Sequence, residues 1–189
     1  MKKRIDIMCD LETLGKKSNT LVFQIAAQAF DIKTGGIVSS FNEVLDITKE
    51  KDFYVNGETL LWWLDTDKEL LAILLKSGTI ESERQLFSDF AEWINQLKEE
   101  FEEVYFWGNG MLFDNRFVAE KMEHYGIKYP IYYRNDRDLR TLTELAAFKE
   151  NKTVNEWLNE HKLKIRAHDA LNDVTSQIKL CVDAFNEII

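Results

Sequence analysis

The stretch IMCDLETLGKK, residues 7–17, sets two carboxylates, Asp10 and Glu12, into an apolar run beside Cys9. Residues 4–10 read as a short strand that should bury its side chains. Alternate residues of a strand share a face, so Asp10 and Glu12 project to the same side. Two anions that close repel unless a cation stands between them. Oxygen donors suit a hard divalent ion such as Mg²⁺ or Mn²⁺. A strand end with two solvated acids is the alternative on this stretch alone.

Outward from this strand, TLVFQIAAQAFDI (20–32) is a second apolar run that ends near the turn signal KTGG. IVSSFNEVLDI (37–47) resumes as a third, which predicts a three-strand antiparallel meander. The middle of the chain is helical. GETLLWWLDTDKELLAILLKSG (57–78) stops at Gly78, and residues 82–101 place Leu86, Phe90, Trp93 and Leu97 on one helical face. Ser82 followed by Gln85 resembles a capping box. EVYFWGNG (103–110) reads as a buried strand ending in a glycine turn, with a helix over about 112–125 stopped by Gly126. Short extended and helical pieces occupy 129–160, and a long helix runs from about 169. Strands followed by alternating helices and strands predict an α/β fold, a mixed sheet with helices on its faces. With Pro130 as the lone proline and no linker or repeat, residues 1–189 read as a single domain.

Composition narrows the functional classes. A hydrophobic share of 45% with 30% charged residues describes a folded chain rather than a disordered one. No run approaches eighteen apolar residues, and Asp6 and Asp10 break the apolar core that a secretory leader would need. Cys9 and Cys181 lack metal-ligand spacing, so reduced, buried thiols in a cytoplasmic protein are expected. A net charge of −9 argues against tight non-specific duplex binding, which leans on many basic phosphate contacts. A nucleic-acid enzyme with a locally basic rim stays open.

Two further segments carry chemistry. In YFWGNGMLFDNRF (105–117), strand, glycine turn and helix start put Asp114 in the first turn of a helix. An acid there also complements the helix dipole. Gly108 and Gly110 form no dinucleotide fingerprint, because the third glycine is missing. In RAHDALNDVTSQIKL (166–180), Asp169 is a credible helix cap, which leaves His168 and Asp173 unexplained by helix formation.

In this order, D-x-E (Asp10, Glu12), F-D (Asp114) and H-x-A-x-x-D (His168, Ala170, Asp173) resemble the motifs of the DEDDh 3′–5′ exonucleases, the histidine-bearing branch of the DnaQ-like, ribonuclease H-like superfamily. The likeness extends from residue 5 to about 185. WGNGMLFDN (107–115), NDRDLRT (135–141) and ETLLWW (58–63) look most similar to phage exonuclease A and the exoribonucleases grouped with exonuclease VIII. Gly110 stands where the proofreading branch commonly has asparagine, with Asn109 one residue earlier.

The resemblance implies a ribonuclease H-like sheet and two-metal cleavage of single-stranded 3′ ends to nucleoside 5′-monophosphates. Asp10, Glu12 and Asp173 would hold one Mg²⁺ or Mn²⁺, with Asp10 and Asp114 serving the second. His168 would take the proton of the attacking water. Leu11, Thr13 and Leu14 would meet the terminal nucleotide, with Leu14 as a wedge. Phe113 and Trp62 or Trp63 would stack on bases, and Asn109, Arg137 and Arg140 would contact the substrate. Only one of the adjacent tryptophans can point straight inward. Lys16, Lys17, Arg116, Arg134, Lys162, Lys164 and Arg166 would join a basic rim. RNA against DNA and a homodimer are left open, as is an inactive relative that only binds nucleic acid or a protein. A phosphatase-like enzyme would need an aspartyl nucleophile in a D-x-D loop, which these motifs do not supply.

Overall fold

The computed structural model describes residues 3–189, so the first two residues of the basic N-terminal start lie outside it. Five strands form one mixed sheet in the order β3-β2-β1-β4-β5. β1 (Arg4–Thr13), β2 (Val22–Phe30) and β3 (Ile37–Val44) make the antiparallel meander expected from the sequence. β4 (Glu103–Gly108) and β5 (Asp136–Asp138) run parallel to β1. Six helices complete the described chain: α1 (Gly57–Ser77), α2 (Glu83–Glu100), α3 (Asp114–His124), α4 (Leu139–Lys149), α5 (Val154–His161) and α6 (Ala170–Ile188). The 129–160 region therefore resolves into β5, α4 and most of α5. Among the described residues no helix is long and apolar enough to cross a membrane.

β1 lies at the centre of the sheet and is covered on both faces, which is why its apolar residues run nearly unbroken. Ile5, Ile7, Cys9 and Leu11 face a core built with α1, α2 and α3. Met8 faces a second core, with Trp107 of β4, Trp157 of α5, and Val174 and Cys181 of α6. Asp10 and Glu12 share the parity of Met8 and so open toward the α6 side.

The helix ends follow from local chemistry. Asn56, Ser82, Asp138, Thr153 and Asp169 each accept a backbone N–H of the following first turn. At α2 the Gln85 amide oxygen accepts the N–H of Glu81 rather than of Ser82, so only half of the expected capping box forms. The α1 helix bends at Asp67, whose backbone leaves helical geometry. Trp63 is buried and donates its indole N–H to the Thr13 carbonyl, while Trp62 is 45% exposed, as expected for the adjacent pair.

One buried ion pair ties the first core together. Glu83, at the start of α2, accepts the Val22 N–H of β2, the Lys121 ammonium of α3 and the Tyr125 hydroxyl. Both charges are at most 5% exposed. Removing one partner of such a pair leaves the other charge stranded. Lys121→Ala is expected to cost about 3–5 kcal/mol in denaturant unfolding. Glu83→Gln/Lys121→Met is expected to recover most of that loss.

Candidate active site

The C-terminal half of β1 carries the first two acids. Asp10 pairs across to Ala26 and Glu12 to Gln24 of β2, neutral neighbours that add no positive charge. α6 then crosses this face and brings Asp173 in its first turn. Carboxylate oxygens of Asp10, Glu12 and Asp173 all lie within 4.8 Å of one another. The Asp173 carboxylate accepts the His168 backbone N–H at 2.9 Å and holds that residue in a left-handed turn with φ 65°. One helical turn on, Gln177 donates its amide N–H to Asp10 at 2.8 Å.

Asp114 opens α3, beyond the glycine turn that ends β4. A Cβ at Gly108 would come within 2.4 Å of the Asn115 side chain and 3.0 Å of the Asp114 Cβ, so glycine is what lets the helix start sit against the strand. Burial holds the Asp114 carboxyl up at about 7, against the pull of its own backbone N–H, that of Asn109, the Arg140 charge and the N–H of Leu11. Its charge in turn raises Asp10.

The electrostatics of the group are one-sided. Burial, then Asp114, pushes Asp10 well above the ordinary carboxylate range, against the Gln177 hydrogen bond. Glu12 is pushed up to about 10 by burial and by the Asp10 and Asp173 charges. Burial raises Asp173 as well. Carboxylates packed this tightly, all oxygen donors and met by amide and backbone N–H groups rather than by an ion pair, fit a hard divalent cation.

His168 stands beside these acids with its ring edge-on to Trp62 at 4.9 Å and to Trp63 at 6.1 Å. Two cavities flank the group. One of about 580 Å³ is lined by Asp10, Asn109, Arg140, Lys162, His168 and Asp173. The other, of about 390 Å³, is lined by Leu11, Glu12, Thr13, Lys16, Trp62 and Phe113.

The sites expected from sequence divide accordingly. Asp10, Glu12, Asp114, His168 and Asp173 come together, and Leu11, Thr13, Asn109, Phe113 and Arg140 line the two cavities. Leu14 does not. It is 4% exposed and packed in the first core, so it is no wedge. The pairing register shifts between Glu12 and Thr13, and Leu14 then bonds Leu21 and Asn56 through its backbone. Arg137 stands outside the cleft, with its guanidinium over the Tyr105 ring. Arg166 leaves the basic rim, because it forms a two-pronged pair with Asp67 at 2.8 and 2.9 Å. Arg116 pairs with Glu120 in the same way that a surface helix pair does.

Gln177 and Arg166 have roles here that the sequence alone did not reveal. The helical spacing from Asp173 to Gln177 was the available signal for the first. The second group of close ligand atoms, Glu150, Glu160 and His161, already holds the Lys152 ammonium between its two acids.

A family model described as the 3′–5′ exoribonuclease Rv2179c-like domain matches residues 5–185. No curated protein matches the chain in sequence. Among solved structures, cell-death related nuclease 4 (CRN-4) is similar with a TM-score of 0.67 and 17% identity over 96% of this chain and 64% of that one. The nuclease domain of 3′hExo, a DEDDh family member solved bound to rAMP, has a TM-score of 0.62 and 12% identity, over 97% of this chain and 92% of that domain. Escherichia coli exonuclease I, solved in a complex with single-stranded DNA, has a TM-score of 0.66 and 17% identity, over 96% of this chain and 40% of that one. The chain thus spans less than two thirds of CRN-4 and of exonuclease I. At these identities the likeness is one of fold, and the fold is that of the ribonuclease H-like exonucleases.

A group whose folded pKa is raised contributes stability below its unfolded pKa and loses it as pH rises through the folded value. For Glu12 that window runs from about 4.5 to about 10. In EDTA, the melting temperature is expected to fall steadily from pH 5 to pH 9. Saturating Mn²⁺ at pH 8 should reverse the fall, and Glu12→Gln should flatten it in the metal-free protein.

Proposed function

The chain belongs to the Rv2179c-like 3′–5′ exoribonuclease domain family, and from that premise we propose that it removes nucleotides one at a time from the 3′ end of single-stranded RNA. Residues 1–189 act in this reading as one exonuclease domain, and nucleoside 5′-monophosphates are the products. The observation that carries it is the convergence of Asp10, Glu12 and Asp173 within 4.8 Å, with Asp114 and His168 beside them.

Asp10, Glu12 and Asp173 would hold one divalent cation, Mg²⁺ or Mn²⁺, and Asp10 with Asp114 a second. When bound, these ions neutralise the carboxylates and stabilise charge building on the phosphate. The chain's own residues do the rest. The cavity beside Glu12 receives the terminal nucleoside, its base against the rings of Trp62 and Phe113. The opposite cavity takes the strand on the other side of the scissile bond, with Arg140 and Lys162 facing its phosphates. His168 takes the proton of the attacking water. Its ring is steadied by the tryptophan edges, and its backbone by Asp173. The solved exonuclease I complexes with oligonucleotides support a single strand as the partner. The family description supports RNA over DNA.

The narrower likeness to the exonuclease A and exonuclease VIII branch rests on three sequence stretches. Buried free thiols at Cys9 and Cys181 support a cytoplasmic setting. Exposed Leu60, Leu61 and Leu64 on α1 support a homodimer, which sedimentation would report as twice the 22.2 kDa chain mass.

With 5′-labelled RNA and Mg²⁺ or Mn²⁺, the expected result is a ladder shortening from the 3′ end, abolished by EDTA or by Asp10→Asn. His168→Ala should lower kcat by about 10²–10⁴-fold at unchanged Mn²⁺ affinity. Cleavage that persists in EDTA, or an Asp10→Asn protein as active as wild type, overturns the reading.

A further inference from the structure

Among the described residues, the arginines of the 134–140 stretch have no carboxylate within ion-pair distance, although the chain holds 33 acids to 24 basic residues. Arg4, Arg116 and Arg166, by contrast, each bind an acid. Arg134 donates to the Tyr133 hydroxyl. Arg137 uses one nitrogen on the carbonyls of Arg134 and Asp136, which leaves its other donors without a partner among the described residues. Arg140 is exposed and lines the cavity that contains Asp10, His168 and Asp173.

Their positions form a row. β5 is the edge strand, and it pairs Asp136 with Phe106, Arg137 with Trp107 and Asp138 with Gly108, the residue that leads into the active-site turn. Arg140 therefore stands at the cleft, Arg137 opposite Trp107 near the end of β4 with its guanidinium reaching back over Tyr105, and Arg134 near the start of β4, where Asn135 bonds the Val104 carbonyl.

Aromatic rings interleave with the charges. The Arg137 and Arg4 guanidiniums lie 4.5 and 4.1 Å from the centre of the Tyr105 ring. Arg134 lies 5.3 Å from that of Tyr133, which is 68% exposed and meets the exposed Tyr132 edge-on. Unpaired guanidiniums suit phosphates, and exposed rings suit unstacked bases. The alternation along a line from an exonuclease cleft matches a single strand and has no apolar centre for a protein partner.

We propose that this sheet edge is a tracking surface for the RNA strand on the 5′ side of the nucleotide being removed, running from Arg140 at the cleft to Arg134 and Tyr133. The inference rests on the single-strand exonuclease reading, and its test separates the two. Hydrolysis of a diribonucleotide and of a 20-nucleotide RNA is compared for wild type and Tyr133→Ala/Arg134→Gln. The variant is expected to raise KM for the 20-mer about 5–20-fold at unchanged kcat, and to leave the diribonucleotide untouched. The slope of log KM against log salt should fall by about 0.7, the amount due to one phosphate that Arg134 no longer neutralises. An unchanged KM for the 20-mer, or an equal rise for both substrates, overturns the tracking surface while leaving the exonuclease in place. A wild type that cuts neither substrate overturns both. Should the double variant melt early, Arg134→Gln alone carries the same readout.

Discussion

Carboxylates held beneath a helix repel one another, and much of the molecule is arranged to keep them there. Asp10 and Glu12 sit on the central strand of the sheet, so the strand cannot move away from α6 without opening both cores. Asp173 approaches from the first turn of α6, and the Asp169 cap fixes where that turn begins. Against this repulsion the protein supplies N–H donors: the Gln177 amide to Asp10, the His168 backbone to Asp173, and the Asn109 and Leu11 backbone to Asp114. Arg140 and Lys162 act on these acids without an ion pair among the described residues, so a bound cation would complete the balance. The rigidity lies in the surroundings, in the Glu83–Lys121 pair and in the tryptophan bonded to the Thr13 carbonyl. Function here is a local loss of stability offset by packing elsewhere.

Much of this was legible because it obeys simple periods. Two residues on a strand share a face, which fixed Asp10 beside Glu12, and a helix cap at Asp169 exposed the oddness of His168 and Asp173. What stayed hidden has physical reasons. β5 is three residues reading Asp-Arg-Asp, held by pairing to β4 and without an apolar alternation of its own. Leu14 continues the strand pattern on paper, but a shift in pairing after Glu12 turns it into the core. Gln177 is neutral and lies in an amphipathic helix, where its spacing from Asp173 is the one hint of its contact with a residue 167 positions away.

Charge was the least legible property. Residue counts describe an acidic chain, yet the meaning of each cation depends on which acid its side chain reaches. Arg166 looked like a rim residue and instead joins the histidine-bearing loop to the bend of α1 at Asp67. Lys16 lies near Glu58 on the open surface, where such a pair contributes little. Among the described residues the arginines without an ion pair are Arg84 on α2 and the three of the 134–140 stretch, and only the structure shows that those three share a sheet edge.

The distance in sequence between β1 and α6 bears on how such a chain is made. Asp10 is made first, and Asp173 follows 163 residues later. A nascent chain that has completed β1 through α5 still lacks the acid that closes the group and the amide that orients Asp10. The carboxylate group is therefore assembled only when α6 docks across the central strand, which makes the last helix the element that closes the site.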